Sequence, residues 1–347
     1  MIGTATSAPT PNVPVRTVEV STHGKWKNVP AVEINGQTIV VRGKWVRIAG
    51  MHDEDWLTAS VIDPAECIRA LKDRSAGVRA DIFYFSQKEP DTDPRYNYPL
   101  EMRSLAVAKV DSFDTWWKKI SHGTKCNIRQ AKKRDVEVKV RKFDDELVRG
   151  IMSVQNESPI RQGRRFYHYG KSFDQVKRDH GSYLNTCDFI CAYHGDELLG
   201  FLKLVYRGDA ALIMQLNSKL KRQSLRPTNA MLAKAAEVCA SRGIRYLVYG
   251  EYNYWNKREC SLLDFKARNG FEEMLVPSYY VPITAWGWLL VKARLYRGPL
   301  GILPMCLIGP ALDLRSKWHD LYAKMSRTTP AIYAEISQSR DSIASDV

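Results

Sequence analysis

The sequence lacks any uninterrupted apolar run of the roughly 18–20 residues that a membrane-spanning helix needs. The nearest approach is Gly298 to Leu312, fifteen residues broken by three prolines. Acidic residues are short as well: 38 Asp and Glu stand against 52 Lys and Arg, leaving a formal net charge of +14. That imbalance says nothing about fold, but it favours phosphate-bearing or polyanionic partners. Cysteine is sparse. Seven occur in 347 residues with no Cys-x-x-Cys pair, which excludes a disulfide scaffold and points to reduced thiols. Residues 1–16 carry no basic residue before Arg16 and no apolar stretch, so neither a signal nor a transit peptide is expected there. They read as a disordered tail, and the chain as cytoplasmic.

Familiar catalytic strings are missing too. No Gly-x-Ser-x-Gly elbow occurs, and no Gly-x-Gly-x-x-Gly follows a strand. Gly170-Lys171-Ser172 ends like a phosphate-binding loop, but Arg165 holds the place of its first glycine. Cys187, Cys191 and His194 lie close together, yet strand periodicity puts His194 on the opposite face from the cysteines. They read as a structural trio, and no metal is expected.

What is present is an ordinary globular chain, 44% hydrophobic, long enough for two domains. Residues 17–50 alternate in short bursts around Asn35-Gly36, the signature of a hairpin. Pro64 to Lys72 suits a helix, Ala80 to Phe85 a buried strand, and Gln87 to Tyr98 a loop. A strand near Ser104 to Val110 follows, then a helix entered through Ser112. Asp188–Tyr193, Leu198–Tyr206 and Ala210–Leu216 read as three hairpin-linked strands. Pro227 to Arg242 is the clearest helix, with Pro near its start and Gly243 just past its end. Ile244–Tyr252 is a strand, Glu259–Asn269 a helix stopped by Gly270, and Leu275–Ile283 extended. The order β-β-β-α-β-α-β predicts an α+β fold with a mixed, mostly antiparallel sheet and flanking helices.

Two stretches carry the basic chemistry. Asn217 to Asn229 places Lys219, Lys221, Arg222 and Arg226 directly ahead of the clearest helix. A helix start offers unpaired amides and partial positive charge, hence a phosphate site. The alternative is a solvated basic loop whose helix is capped by Thr228 or Asn229. Between Asn156 and His180, Arg161, Arg164, Arg165, Tyr167, His168, Tyr169 and Lys171 interleave basic and aromatic side chains. That mixture suits an anionic, sugar-like or phosphorylated substrate.

The strand, basic loop, helix, strand and short helix ending in Gly-Phe resemble the donor-binding half of the GNAT superfamily of N-acyltransferases. Leu262 to Phe271 (LLDFKARNGF) is closer still to the Phe-Lys-x-x-x-Gly signature of its Fem-type branch. Lys118 to Val136, containing Cys126-Asn127-Ile128-Arg129-Gln130-Ala131-Lys132-Lys133, resembles that branch's basic helix. The resemblance covers roughly residues 111–285. It departs in the pyrophosphate loop, where Arg222 to Ala230 holds no glycine.

What the resemblance implies is direct acyl transfer from acetyl-CoA or another acyl-CoA to the amine of an amino-sugar, amino acid or cell-envelope precursor. Lys266 stands where the superfamily carries its leaving-group tyrosine, and a cation there stabilises negative charge; a surface lysine on an amphipathic helix is the other reading. Glu251 is the candidate base, a salt-bridge partner at the rim being the other reading. Lys219, Arg222, Arg226, Thr228 and Asn229 would hold the donor. Arg129, Lys132, Arg164, Arg165, His168 and Tyr169 would face the acceptor. A second reading replaces the donor by aminoacyl-tRNA, the donor of known Fem-type members. A third is a non-catalytic nucleic-acid- or membrane-binding protein.

The expected organisation is a degenerate GNAT-like half at 17–110, a transferase domain at 111–285, a basic amphipathic helical segment at 286–330 and a frayed end at 331–347. Lys118 to Lys142 holds ten Lys or Arg against two acids, and Trp286 to Pro330 seven against two. The charge excess is therefore local. An anionic substrate and no stable DNA complex are expected; the segment 286–325 has two readings, peripheral contact with the inner membrane face or packing of its apolar face on the body of the protein.

Overall fold

The computed structural model describes residues 16–22, 25–52, 57, 60–73, 75, 77–161, 164–253 and 261–297. The tail expected at 1–16 (apart from Arg16), the start of the helix expected from Glu259 and the segments beyond 297 lie outside these residues.

Twelve strands form one sheet. In chain order the first half holds β1 (Arg16–Thr22), β2 (Lys25–Ile34), β3 (Gln37–Arg42), β4 (Ile48–Met51), helix α1 (Pro64–Lys72) and β5 (Ile82–Ser86). Asn35 and Gly36 both have positive φ, so the β2–β3 turn takes the tight form its sequence predicts. Next come β6 (Leu100–Lys109), α2 (Phe113–Lys119), α3 (His122–Lys133), β7 (Val136–Arg141) and α4 (Asp145–Gln155). The basic stretch expected as one helix from Lys118 is broken at Ile120, and Ser121 caps α3 anew. A two-stranded ribbon, β8 (Ile160–Arg161) with β9 (Arg164–Arg165), leads to α5 (Phe173–His180).

The remaining elements are β10 (Cys187–His194), β11 (Glu197–Arg207), β12 (Ala210–Ser218), α6 (Pro227–Ser241), β13 (Tyr246–Glu251), α7 (Ser261–Arg268), β14 (Glu272–Pro282) and α8 (Ala285–Lys292). The strand order is β1-β2-β3-β4-β5-β14-β6-β13-β12-β11-β10-β7. It contains one arrangement twice. In each half three antiparallel strands are followed by a crossover helix and a strand parallel to the third: β2-β3-β4-α1-β5, then β10-β11-β12-α6-β13. Strand β14 joins the halves by pairing β5 on one side and β6 on the other.

Both faces of the second half are covered. Ile190, Ala192, Leu202 and Leu204 pack under α6, while Phe189, Cys191 and Phe201 pack under α4 and α5. This two-sided burial explains why β10 and β11 read as nearly continuous apolar runs. Lys203 interrupts the run, fully buried, and donates to the carbonyl of His180 (2.8 Å) and to Ser182. Carbonyls at the C-terminal end of α5 thus receive its charge. The five described cysteines are all free thiols. No described helix is long and apolar enough to cross a membrane.

Candidate active site

Strands β12 and β13 are paired for only three residues, Ala210 with Tyr246 to Leu212 with Val248. Both continue, β12 to Ser218 and β13 to Glu251, so the two strands part into a wedge. Bulges on each produce the parting. On β12, Met214 is the extra residue between Ile213, opposite Leu204, and Gln215, opposite Lys203. On β13 the register shifts between Val248 and Glu251, and Gly250 takes φ +59 there. Ser218 Oγ lies 3.0 Å from Thr228 Oγ1, which ties the open end of β12 to the first turn of α6.

Helix α6 begins without a side-chain cap. Its N-cap is Arg226, in the left-handed region at φ 59, and its first turn has no acid. The capping expected of Thr228 or Asn229 is therefore replaced: Thr228 meets Ser218, and Asn229 Nδ2 donates to Asn269 Oδ1 at 3.2 Å. The equivalent helix of the first half is the opposite case. Asp63 accepts from the Glu66 amide at the start of α1, leaving a negative, self-capped end. Of these two crossover helices, only α6 has a start suited to an anion.

The basic loop before α6 is partly engaged. Lys219 and Arg222 both reach Glu197, at 2.8 and 2.9 Å, and the bond from Lys219, with Arg222 adding to it, holds that carboxyl below the usual range. The Glu157 carboxylate accepts from the amides of Leu220 and, at 3.0 Å, Lys221. Arg226 Nε donates to Gln130 at 3.2 Å, and Arg134 to the Ser224 carbonyl at 2.5 Å. The basic helix α3 is thereby fastened beside the loop. Arg129 and Lys132 lie on its exposed side, the Arg129 guanidinium 5.8 Å from the Trp117 ring.

Lys266 is fully buried, which corrects the surface reading. Its Nζ donates to the backbone carbonyl of Glu251, at the bulged end of β13, and stands 4.8 Å from the Tyr249 ring centre. The rest of its motif is a helix stop. Phe271 N donates to Lys266 O and Gly270 N to Ala267 O, with Gly270 at φ +81. A Cβ at Gly270 would come within 3.3 Å of Ile120, so the glycine also permits close approach of α2's end. Phe271 is buried against Tyr249. Among the described residues, no cation pairs with the Glu251 carboxylate.

The loop between α4 and α5 reaches the same region from the other side. Arg161 donates to the Ser218 carbonyl (2.8 Å) and the Val154 carbonyl (2.6 Å). His168 is buried, its ring tilted against those of Tyr167 at 3.9 Å and His180 at 6.0 Å between centres. Burial, aided by the Lys171 charge, lowers its pKa to about 4, so it is neutral near pH 7. Tyr169 and Arg165 are exposed, and Arg164 lies on β9. Residues on both sides thus converge on Ser218, which the sequence reading did not single out; nor did it single out Glu157, Glu197 or Gly200. A Cβ on Gly200 would meet the Asn217 carbonyl at 2.7 Å and Ser218 Cβ at 2.9 Å. An isolated glycine inside a strand pattern was the available signal for that approach.

Antiparallel strands, a crossover helix uncapped at its start, and a parallel strand parting at paired bulges define a GNAT-type fold of the Fem-like kind. Among solved structures the chain is similar to FemX, with a TM-score of 0.52 at 11% identity over 80% of this chain and 90% of that one. It is also similar to L-PGS from Bacillus licheniformis, with a TM-score of 0.50 at 12% identity over 76% and 88%. No family model matches the sequence, and no curated protein matches it.

Proposed function

We propose that the protein is an N-acyltransferase in which an amine attacks an activated acyl ester or thioester directly. The observation that carries this reading is Lys266, a buried cation held at the bulged end of β13 beside the parted strands. The new C–N bond forms as the C–O or C–S bond of the donor breaks. Lys266 stabilises the oxyanion and leaving group, and Glu251 takes the proton from the attacking amine. The wedge and the start of α6, with Lys219, Arg222, Arg226, Thr228 and Asn229, hold the donor. Arg129, Lys132, Arg164, Arg165, His168 and Tyr169 flank an anionic or phosphorylated acceptor of cell-envelope type.

The wedge by itself suits the pantetheine arm of acetyl-CoA or another acyl-CoA. A specific observation favours the second donor, aminoacyl-tRNA. The Leu220 and Lys221 amides already bind Glu157, whereas the exposed basic side of α3 runs beside the loop and offers an extended anion surface, so that on this reading Arg129 and Lys132 face the donor. The Phe-Lys-x-x-x-Gly resemblance at Phe265 to Gly270 supports the same donor, because known Fem-type members use it. Thermal shift separates the two, since a ligand stabilises the state that binds it. Stabilisation by charged tRNA, but not by acetyl-CoA or CoA, is expected. Stabilisation by acetyl-CoA alone would restore the acyl-CoA reading, and no response to either would overturn the transferase.

A further inference from the structure

Helix α8 presents its aromatic side to solvent. Gly287 and Leu290 are the buried positions. Gly287 sits so close to the Asp81 carbonyl that a Cβ there would lie 1.7 Å from its oxygen. Thr284 caps the helix by accepting from the Gly287 amide at 3.0 Å and donates to Asp81 at 3.3 Å. These contacts fix the rotation of α8, and the rotation turns Trp286, Trp288 and Leu289 outward at 49%, 55% and 46% exposure.

A second segment meets them. The β3–β4 turn carries Trp45, 92% exposed, whose carbonyl accepts from the Trp286 indole at 3.4 Å. Trp45 and Trp286, from segments some 240 residues apart, therefore meet at the surface, and Trp288 and Leu289 are exposed on the same helix. Large apolar side chains gathered this way are an interaction surface. Its exposed charge is mainly basic, although Arg47 is paired with Asp81 and Tyr296 donates to Glu101. Residues 42–50 contain Arg42, Lys44 and Arg47 and no acid, and residues 285–297 contain Lys292, Arg294 and Arg297 and no acid. Lys44, Lys292 and Arg294 are exposed, and the Lys292 ammonium stands 4.8 Å from the Trp288 ring centre.

We infer that α8 and the β3–β4 turn form a docking surface for an anionic lipid bilayer. Tryptophan is suited to the headgroup region, where its ring is buried and its N–H remains wet, and flanking lysines and arginines match anionic lipid. The sequence that continues from α8, Gly298 to Leu312, is apolar and uncharged throughout. The inference is independent of acyl transfer and stands or falls by its own test.

The test is flotation of the full chain with vesicles of phosphatidylcholine alone and of phosphatidylcholine with phosphatidylglycerol. Binding to the anionic vesicles only is expected, weakening as salt is raised. Replacing both Trp45 and Trp288 by Ser should lower that binding roughly tenfold, and replacing Lys44 and Lys292 by Glu should lower it as far. These side chains are exposed, so an unchanged melting temperature separates lost docking from lost fold. The proposal is overturned if wild-type protein ignores anionic vesicles or if the tryptophan variant binds as well as wild type. It is equally overturned if the variant changes only the mass of the protein in solution, which would make the patch a contact between copies.

Discussion

The Lys266 ammonium donates to the main-chain carbonyl of Glu251, a contact spanning fifteen residues that joins α7 to the end of β13. The bond engages the backbone of Glu251, so the carboxylate of that residue is left to act separately. A buried lysine has three donor hydrogens. With one given to this carbonyl, the group is oriented rather than wandering.

Lys266→Met keeps the length of the side chain and removes the charge. Turnover should fall by about 10²–10³, the usual loss of a group that stabilises developing negative charge. Donor binding, read by thermal shift, should change little. Equal turnover in variant and wild type would remove Lys266 from the chemistry.

Glu197→Gln should release Lys219 and Arg222 from their shared partner. Two freed cations beside the start of α6 strengthen attraction for a phosphate-bearing donor, so affinity should rise a few-fold at low salt and converge with wild type as salt increases. Titration of the donor at two ionic strengths checks both the direction and the salt dependence. An unchanged affinity would place the pair outside the donor path.

Acid should destabilise the protein through His168 and His180. Burial, with like charge from Lys171 near His168 and from His168 itself near His180, lowers their values to about 4 and about 3. An unfolded histidine titrates near 6.5. As pH falls below that value, the unfolded chain binds protons that the folded chain refuses, so stability declines continuously down to about pH 3. Urea midpoints measured from pH 7 to pH 4 should fall, and His180→Gln should flatten the slope.

Gly200→Ala should destabilise by about 1–3 kcal/mol, because the added methyl has no room between Asn217, Ser218 and Met231. Those neighbours belong to the open end of β12 and to α6, so donor affinity should weaken along with stability. Chemical denaturation and donor binding on the same variant test the two together.

Much of the fold was legible because its signals are local. Asn35-Gly36 specifies a hairpin through the backbone freedom of two residues, and Gly270 stops α7 through one. The alternating and continuous apolar runs of β10 to β12 are likewise readable along the chain. Lys266 was legible as a candidate only through its motif, and its burial was not, because an amphipathic helix does not reveal which element will cover a given lysine.

The sequence by itself determined the hairpin strands and the helices α1, α6 and α7, the basic loop ahead of α6 and the glycines that end helices and turns, but not β7, α4 or α5. Each follows from propensity or periodicity over a few residues. Tertiary structure alone decided that β6 lies between β13 and β14, that Glu197 and Glu157 take up part of the loop, and that β12 and β13 separate after three pairs. It also decided which side of α8 meets solvent. These outcomes depend on contacts between distant segments, where packing rather than local preference selects the partner.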